Sequence, residues 1–441
     1  MRFDAAALDV VLHRHLPRNS AGLVAGVSGG ADSASLLTAL AELGRRPLRA
    51  VHVDHGLQAA SGALRASASA LCERLRVPLT VIEVRVEPAG ESIEAAARDA
   101  RYRAFARDLG PGECLLTAHH AQDQAETLLL QLLRGAGIKG LSAMPVLRRL
   151  AGGWHLRPLL EFARRDLEAY AVTRGVPAHE DPMNRDPRFD RAFLRTEIWP
   201  KITERWPAAA AALGRAARHA ADAQDLLDHA ADAALSRLRD GGALSVTGLR
   251  ALSERERVNI LRRWLSELGI AAPSSARLAE SLRQTLTADA DHVPAVIWGG
   301  HALRRYRERL FVTVAAVPRL GAPREWRVRS HSQLALGDGL GTLRWVERSG
   351  GLDLSRLPAA LSVRQRSGGE SLKIGARGRT QSVQHLCQTM GILPWMRDAL
   401  PMIYAGESLV AVGDIWSDAR WAAGRAEIGG ACVWEGAPEI C

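Results

Sequence analysis

The sequence predicts an α/β protein: a doubly wound parallel-sheet domain, followed by a mainly helical middle domain and a small α+β C-terminal domain. Three observations predict it. Strand-like apolar runs alternate with helix-period segments through the first half, and repeated strand–helix units of that length imply a parallel sheet covered on both faces. After Pro200 the texture changes to Ala-rich, amphipathic helical sequence, and the last stretch is short strands with Gly-rich turns. At 441 residues the chain is also too long for one ordinary core.

The elements follow in order. LVAGV (23–27) reads as the first strand, with a helix from about Ala34. LRAVHV (48–53) precedes a helical segment near 61–76, PLTVIEVRV (78–86) one at 91–108, and ECLLTA (113–118) one at 121–134. These define a first domain over 1–205. The second, 206–318, opens on an Ala-rich stretch whose leucines and mixed charges suit a packed helix, continues with amphipathic segments near 249–269 and 274–286, and closes on a hairpin near 301–315. VPRLGAPREW (317–326) reads as a linker, and 327–441 as a third domain with one helix near 380–391.

Composition narrows the function classes. Apolar residues make up 47% and charged residues 24%, as in soluble globular proteins. No run is long enough to span a bilayer and the N-terminus lacks an uninterrupted apolar segment, so the expectation is a cytoplasmic protein with no membrane. The net charge of +10 favours a polyanionic partner such as nucleic acid, against the blander reading of an arginine-biased composition with only three lysines. The five cysteines are scattered with no C-x-x-C pair, which signals neither zinc nor disulfides.

The chemistry begins at VSGGADS. Ser28, Gly29, Gly30, Ala31, Asp32 and Ser33 sit between the first strand and the first helix. Glycines let backbone approach an anion, and a helix N-terminus offers unpaired N–H groups, so this turn is a phosphate cradle. It is not a P-loop, because no lysine is present to reach the β/γ-phosphates. An aspartate such as Asp32 beside phosphates makes physical sense only with a cation between them.

The second constellation is TAHHAQDQAETLLLQLLRGAG (117–137). On a helix, Asp123, Glu126, Leu130 and Arg134 share one face, with Leu128, Leu129, Leu132 and Leu133 opposite. The carboxylates and the guanidinium are then expected to project while the leucines pack down. A solvated helix face with surface ion pairs is the bland alternative; the position of Asp123 at the edge that carries the phosphate loop argues against it. His119 and His120 are adjacent without spaced partners, and read as strand-end polar residues rather than a zinc site.

The hexapeptide S-G-G-x-D-S in this position resembles the pyrophosphatase loop of the ATP-pyrophosphatase superfamily, in which ATP is split between the α- and β-phosphates. The series HVDHGL (52–57), ESIEAAARDARYRAF (91–105), TAHHAQDQAETLLLQLLRGAG, GLSAM (140–144), RPLL (157–160) and EDPMNRDPRFDRAFLR (180–195) resembles the tRNA(Ile)-lysidine synthetase family. So do LSVRQRSGGESLKIGARGR and GILPWMRDALPMIYAGESLVAVGDIW near the end. The resemblance implies a ligase that uses ATP and Mg²⁺ to adenylate the wobble cytidine of a CAU-anticodon isoleucine tRNA. The ε-amine of L-lysine then displaces AMP. It implies ATP binding by the loop, lysine binding by Asp123, Glu126 and Arg134, and catalytic parts for Asp32, Asp123, Glu126, Arg191 and Arg195. Asn184 is expected to reach tRNA with the basic set Arg364, Arg366, Lys373, Arg377, Arg379 and Arg397. No obligate protein partner is inferred.

The chain departs from the family pattern at Gln122, Met183 and Ala192, where Asp, Ser and Asn are usual. Gln122 leaves Asp123 as the one aspartate of the usual pair. The competing readings are a tRNA thiolase of the same superfamily, for which paired cysteines are lacking, a small-molecule amidating synthetase, and a non-catalytic tRNA-binding relative.

Overall fold

The computed structural model describes residues 2–45, 47–55, 61–85, 93–176, 186–287, 295–337, 339–375, 378–424 and 427–438. Asn184, Met183 and Arg377 lie outside them. The chain forms two compact units, Met1–Leu227 and Asp228–Cys441, whose boundary falls inside one 30-residue helix.

The first unit is built on strands β1 (Gly22–Gly26), β2 (Leu48–Asp54), β3 (Leu79–Glu83), β4 (Glu113–Leu116), β5 (Leu147–Leu150) and β6 (Gly153–Leu156). Their order is β3-β2-β1-β4-β6-β5, parallel except for the β5–β6 hairpin. Chain order reverses between β1 and β4, and at such a switch point the connections diverge and leave a crevice at the strands' carboxyl ends.

The period-two pattern of the strands accounts for the two faces. Leu23, Ala25, Leu48, Ala50, Cys114 and Leu116 point into one core, which holds helices α1 (Ala5–His15), α2 (Ala31–Glu42) and α3 (Ser61–Leu75). Val24, Val51, Val53 and Leu115 point into the other, under α4 (Ile93–Asp108). Leu36, Leu37 and Leu40 of α2 are fully buried, each worth about 1.5–3 kcal/mol.

α5 (Ala121–Leu133) follows β4, then the short α6 (Ile138–Leu141), and α7 (Arg164–Thr173) packs on α2. Three consecutive pieces follow: α8 (Asp190–Phe193), a π-helical turn (Leu194–Ile198) and α9 (Trp199–Arg205). Trp199 is buried with Ala125 of α5 and Ala209 of α10 (Ala209–Leu238), which clamps the 190–205 segment on α5. Two motifs of the sequence are structural here. Gln124 donates to the Met144 carbonyl at 2.9 Å and accepts from the Met144 N–H at 3.0 Å, which ties α5 to GLSAM. Arg157 of RPLL donates to the Pro145 carbonyl at 2.8 Å.

In the second unit, helices α11 (Val246–Arg250), α12 (Glu254–Glu267) and α13 (Ser275–Thr287) share a core with a five-stranded antiparallel sheet. The expected hairpin is present as His301–Tyr306 paired with Arg309–Val314. The expected C-terminal helix is Val383–Met390, in a region with three antiparallel sheets of five, three and two strands. Among the described residues no helix is long and apolar enough to cross a membrane.

Candidate active site

The cleft at the switch point has a volume of about 400 Å³. Four walls converge on it: the turn after β1, the start of α5, one face of α4 with Arg98, Arg101 and Tyr102, and the 189–195 segment.

The turn after β1 is closed on itself. Ser33 Oγ accepts the Ser28 N–H at 3.1 Å and donates to the Gly30 carbonyl at 3.0 Å, and the Ser28 and Ser33 hydroxyls lie 3.1 Å apart. Gly29 has φ +86° and a Cβ there would lie 2.5 Å from the Leu64 carbonyl oxygen, so only glycine fits. Gly30 caps α2 without a side-chain bond, and Asp32 lies in the helix's first turn. The loop therefore offers hydroxyls, backbone and a helix N-terminus with no resident countercharge of its own but Asp32.

Burial pushes the Asp32 carboxyl up from its usual range; Asp123 adds to that, while His120 opposes it. A carboxylate disfavoured in this way, next to an anion cradle, fits a hard divalent cation shared with phosphate oxygens. Among the described residues no group of three His, Cys, Asp or Glu forms an all-protein metal cage, and Mg²⁺ characteristically takes one or two carboxylates plus phosphates.

α5 begins with a capping box. His120 Nδ1 accepts the Asp123 N–H at 3.4 Å, and Asp123 accepts the His120 N–H at 3.0 Å. With Nδ1 accepting, the ring hydrogen sits on Nε2, which faces Asp32 at 3.7 Å and Asp123 at 3.5 Å. His120 is thus a helix cap joining the two aspartates.

The face of α5 that the sequence suggested would project is covered. Glu126 is fully buried, and Asp123 only 14% exposed. Arg195 donates to Asp123 at 2.9 Å and to Glu126 at 2.7 Å, and Arg191 reaches Glu126 at 3.1 Å and Asp123 at 3.3 Å. Burial pushes the Asp123 carboxyl up, but His120, Arg191 and Arg195 outweigh it and hold it well below the usual range. Gln122 donates its amide to Glu126 at 3.0 Å, so the departure from the family's aspartate supplies a donor where a third carboxylate would repel.

The apolar stripe also differs from expectation. Leu128 is buried, but Leu132 and Leu133 are 58% and 79% exposed, because the packing against Trp199 engages only the first turns of α5. Arg134 is not brought to the carboxylates: it caps α5 and pairs with Asp190 at 3.3 Å, exposed. Ala192 is buried and lines the cleft. Of the C-terminal basic set, Arg364 is held by Glu407 at 3.2 Å, Arg366 lies 3.7 Å from Glu370, and Arg397 donates to the Ile392 carbonyl at 3.2 Å. Lys373 ends one strand of the short β-ladder of residues 371–373 and 380–382, and Arg379 immediately precedes the other.

Sequence reasoning read His119 only as a strand-end polar residue and did not single out Arg98, Arg101 or Tyr102; all four line the cleft. The available signal was position: His119 follows a strand at the switch-point edge, and the three α4 residues recur at i, i+3 and i+4 on one helix face.

Comparison with known proteins gives three family matches along the chain: a PP-loop domain over residues 6–202, a TilS substrate binding domain over 244–311 and a TilS substrate C-terminal domain over 361–434. The tRNA(Ile)-lysidine synthase of Alkalilimnicola ehrlichii is 40% identical over 421 residues, covering 93% of this chain and 94% of that one. Its Pseudomonas aeruginosa counterpart is 41% identical with 90% of each chain covered, and that of Coxiella burnetii 37% identical with 87% of each covered.

Proposed function

The chain belongs to the tRNA(Ile)-lysidine synthase family, and from that premise we propose how its residues divide the reaction. It is a ligase that forms a carbon–nitrogen bond with ATP as the driving substrate. The wobble cytidine O2 of a CAU-anticodon isoleucine tRNA attacks the α-phosphorus of ATP, and pyrophosphate leaves into the Ser28–Ser33 turn. The lysine ε-amine then attacks C2, and AMP leaves.

Ser28, Gly29, Gly30, Ala31 and Ser33 cradle the departing pyrophosphate. Asp32 would hold Mg²⁺, whose part is to neutralise phosphate charge. Asp123 and Glu126 take the lysine ammonium and accept its proton, a necessary step because near neutral pH only roughly one amine in a thousand is unprotonated, from a reference pKa of about 10.4. The two carboxylates now hold Arg191 and Arg195. Lysine therefore enters only as the arginines move off, and two freed guanidiniums beside the cleft suit phosphate oxygens. Residues 206–318 and 327–441 serve as tRNA-binding domains, with Asn184 and the basic residues at 364–397 as contacts. A cytoplasmic enzyme fits this substrate.

The observation that carries this reading is Asp123 lining one cleft with a self-closed phosphate turn, beside the buried Glu126 that shares its two arginines. A thiolase reading lacks support: Cys72, Cys114 and Cys432 are buried, and burial pushes their thiols up to about 11, 12 and 12. The test is nucleoside analysis of CAU-anticodon isoleucine tRNA incubated with enzyme, ATP, Mg²⁺ and lysine. Lysidine, AMP and pyrophosphate are expected in equal amounts; AMP without a modified cytidine contradicts the reading.

A further inference from the structure

Behind the cleft lies a chain of side-chain hydrogen bonds that the reaction as described does not use. Arg148 and His155 stand opposite each other across the β5–β6 hairpin. Arg148 Nε donates to His155 Nδ1 at 3.2 Å. His155 Nε2 is 2.8 Å from Thr117 Oγ1, and Thr117 Oγ1 is 2.8 Å from His119 Nδ1. His155 is fully buried and Thr117 8% exposed, while His119 borders the cleft.

The guanidinium fixes the direction of the first two bonds, and the third is the one that gives the Thr117 proton an acceptor. A guanidinium can only donate, so His155 Nδ1 accepts. Burial, with Arg157 and Arg148 beside it, pushes the His155 ring far below its usual pKa, so it carries one hydrogen, on Nε2. That hydrogen goes to Thr117 Oγ1. The Thr117 hydroxyl then has one proton to give and His119 Nδ1 in reach, so His119 accepts at Nδ1 and bears its own hydrogen on Nε2. Burial, reinforced by Arg157, Arg101 and Arg191 and opposed by Asp123, holds His119 well below its usual pKa as well.

We propose that Arg148, His155 and Thr117 form a one-way relay that fixes His119 as an Nε2–H donor facing the cleft, where it meets an anionic oxygen of a substrate. The inference rests on the functional reading above and deepens it. An uncharged donor locked in one orientation costs no reorganisation when charge develops on the oxygen it faces, which is the physical basis of oxyanion-type stabilisation. Two oxygens share the required chemistry: a non-bridging phosphoryl oxygen of ATP and the α-carboxylate of lysine. The second is of interest because Arg134 lies elsewhere, paired with Asp190. Thr117 and His155 are positioning residues, acting through His119.

Thr117→Val removes the hydroxyl at nearly constant shape, and Thr117→Ser keeps it. The full-length enzyme is labelled with ¹⁵N-histidine, the His119 signal is assigned from His119→Gln, and the tautomer is read from its ring nitrogen shifts. Pyrophosphate release is then measured against ATP, and lysidine formation against lysine. Wild type is expected to show the Nε2–H form, Thr117→Val a mixture, and Thr117→Ser the wild-type form. His119→Gln is expected to lose ~10²-fold in the affected step, the order seen for one lost oxyanion donor. Thr117→Val should lose ~10-fold, the lower end for an outer-shell partner, with most of it recovered in Thr117→Ser. A fall in kcat/KM for ATP assigns the oxygen to phosphate; a rise in KM for lysine alone assigns it to the carboxylate. An Nδ1–H His119 in wild type overturns the proposal, as does a Thr117→Val enzyme with unchanged tautomer and kinetics. Should Thr117→Val fail to fold, the wild-type spectrum still decides. That spectrum needs no tRNA, so a wild type that makes no lysidine would sink the functional reading and leave the relay standing.

Discussion

The two halves of the cleft are prepared in opposite ways. The phosphate turn is already built: Ser28, Gly30 and Ser33 bond one another, and Gly29 has the only side chain that fits against Leu64. The amine half is occupied: Asp123 and Glu126 carry two guanidiniums from one turn of helix. The first half needs only its ligand, whereas the second must first give one up. The difference supplies an order of events in which phosphate chemistry does not wait for the lysine site and lysine capture waits for Arg191 and Arg195.

The largest expected effect breaks the prepared half. Asp32→Ala removes the cation's partner without removing core volume, and adenylation should fall to near background while the melting curve stays close to wild type. AMP formation near the wild-type rate would show that Asp32 has no part in it.

Next comes the occupied half. Arg195→Ala leaves Asp123 and Glu126 with one guanidinium, and should cost roughly 1–3 kcal/mol, below the 3–5 of a fully buried pair because Arg195 is 22% exposed. Asp32→Ala should not share that loss. Chemical denaturation of both variants checks the contrast, and equal stability would remove the distinction between prepared and occupied halves.

A smaller effect concerns pH. The Asp123 carboxyl is depressed in the folded protein, so its contribution is fully present above the unfolded value near 3.9 and is lost as pH falls through the folded value. The stability gap between wild type and Asp123→Asn should therefore be flat from pH 8 to 5 and narrow only under acid conditions. A gap that narrows already between pH 7 and 6 would mean that Asp123 is not the depressed group.

The smallest effect lies on the tRNA surface. Lys373→Ala and Arg379→Ala should each flatten the slope of log K against log salt by about 0.7–0.9 if they meet phosphate. Arg364→Ala should flatten it less, since Glu407 already holds that side chain. Salt titrations of tRNA binding check this, and identical slopes in all three variants and wild type would take these residues out of the footprint.

Much of this arrangement was legible in the sequence, for local reasons. Short apolar runs alternating with helix-period segments gave β1–β4, and the strand-to-helix turn of SGGADS located the phosphate half. What escaped depends on distant residues. Glu126 meets Arg195 across 69 positions and Thr117 meets His155 across 38, and no periodicity records such pairings. Leu132 and Leu133 misled because helical spacing says which residues share a face, not how far along the helix the neighbour extends. The β5–β6 hairpin and α7 passed unnoticed because their strands are four residues long and the helix is polar overall.

The most direct test of the account is to separate the two half-reactions in Glu126→Gln by rapid quench. The substitution keeps the size and removes the charge that holds the amine. Adenylated tRNA should form at the wild-type rate and then accumulate, with the lysine-dependent step slowed ~10²-fold or more, the range for loss of a positioned base. Equal slowing of both steps, or wild-type lysine kinetics, would contradict the assignment of this carboxylate to lysine.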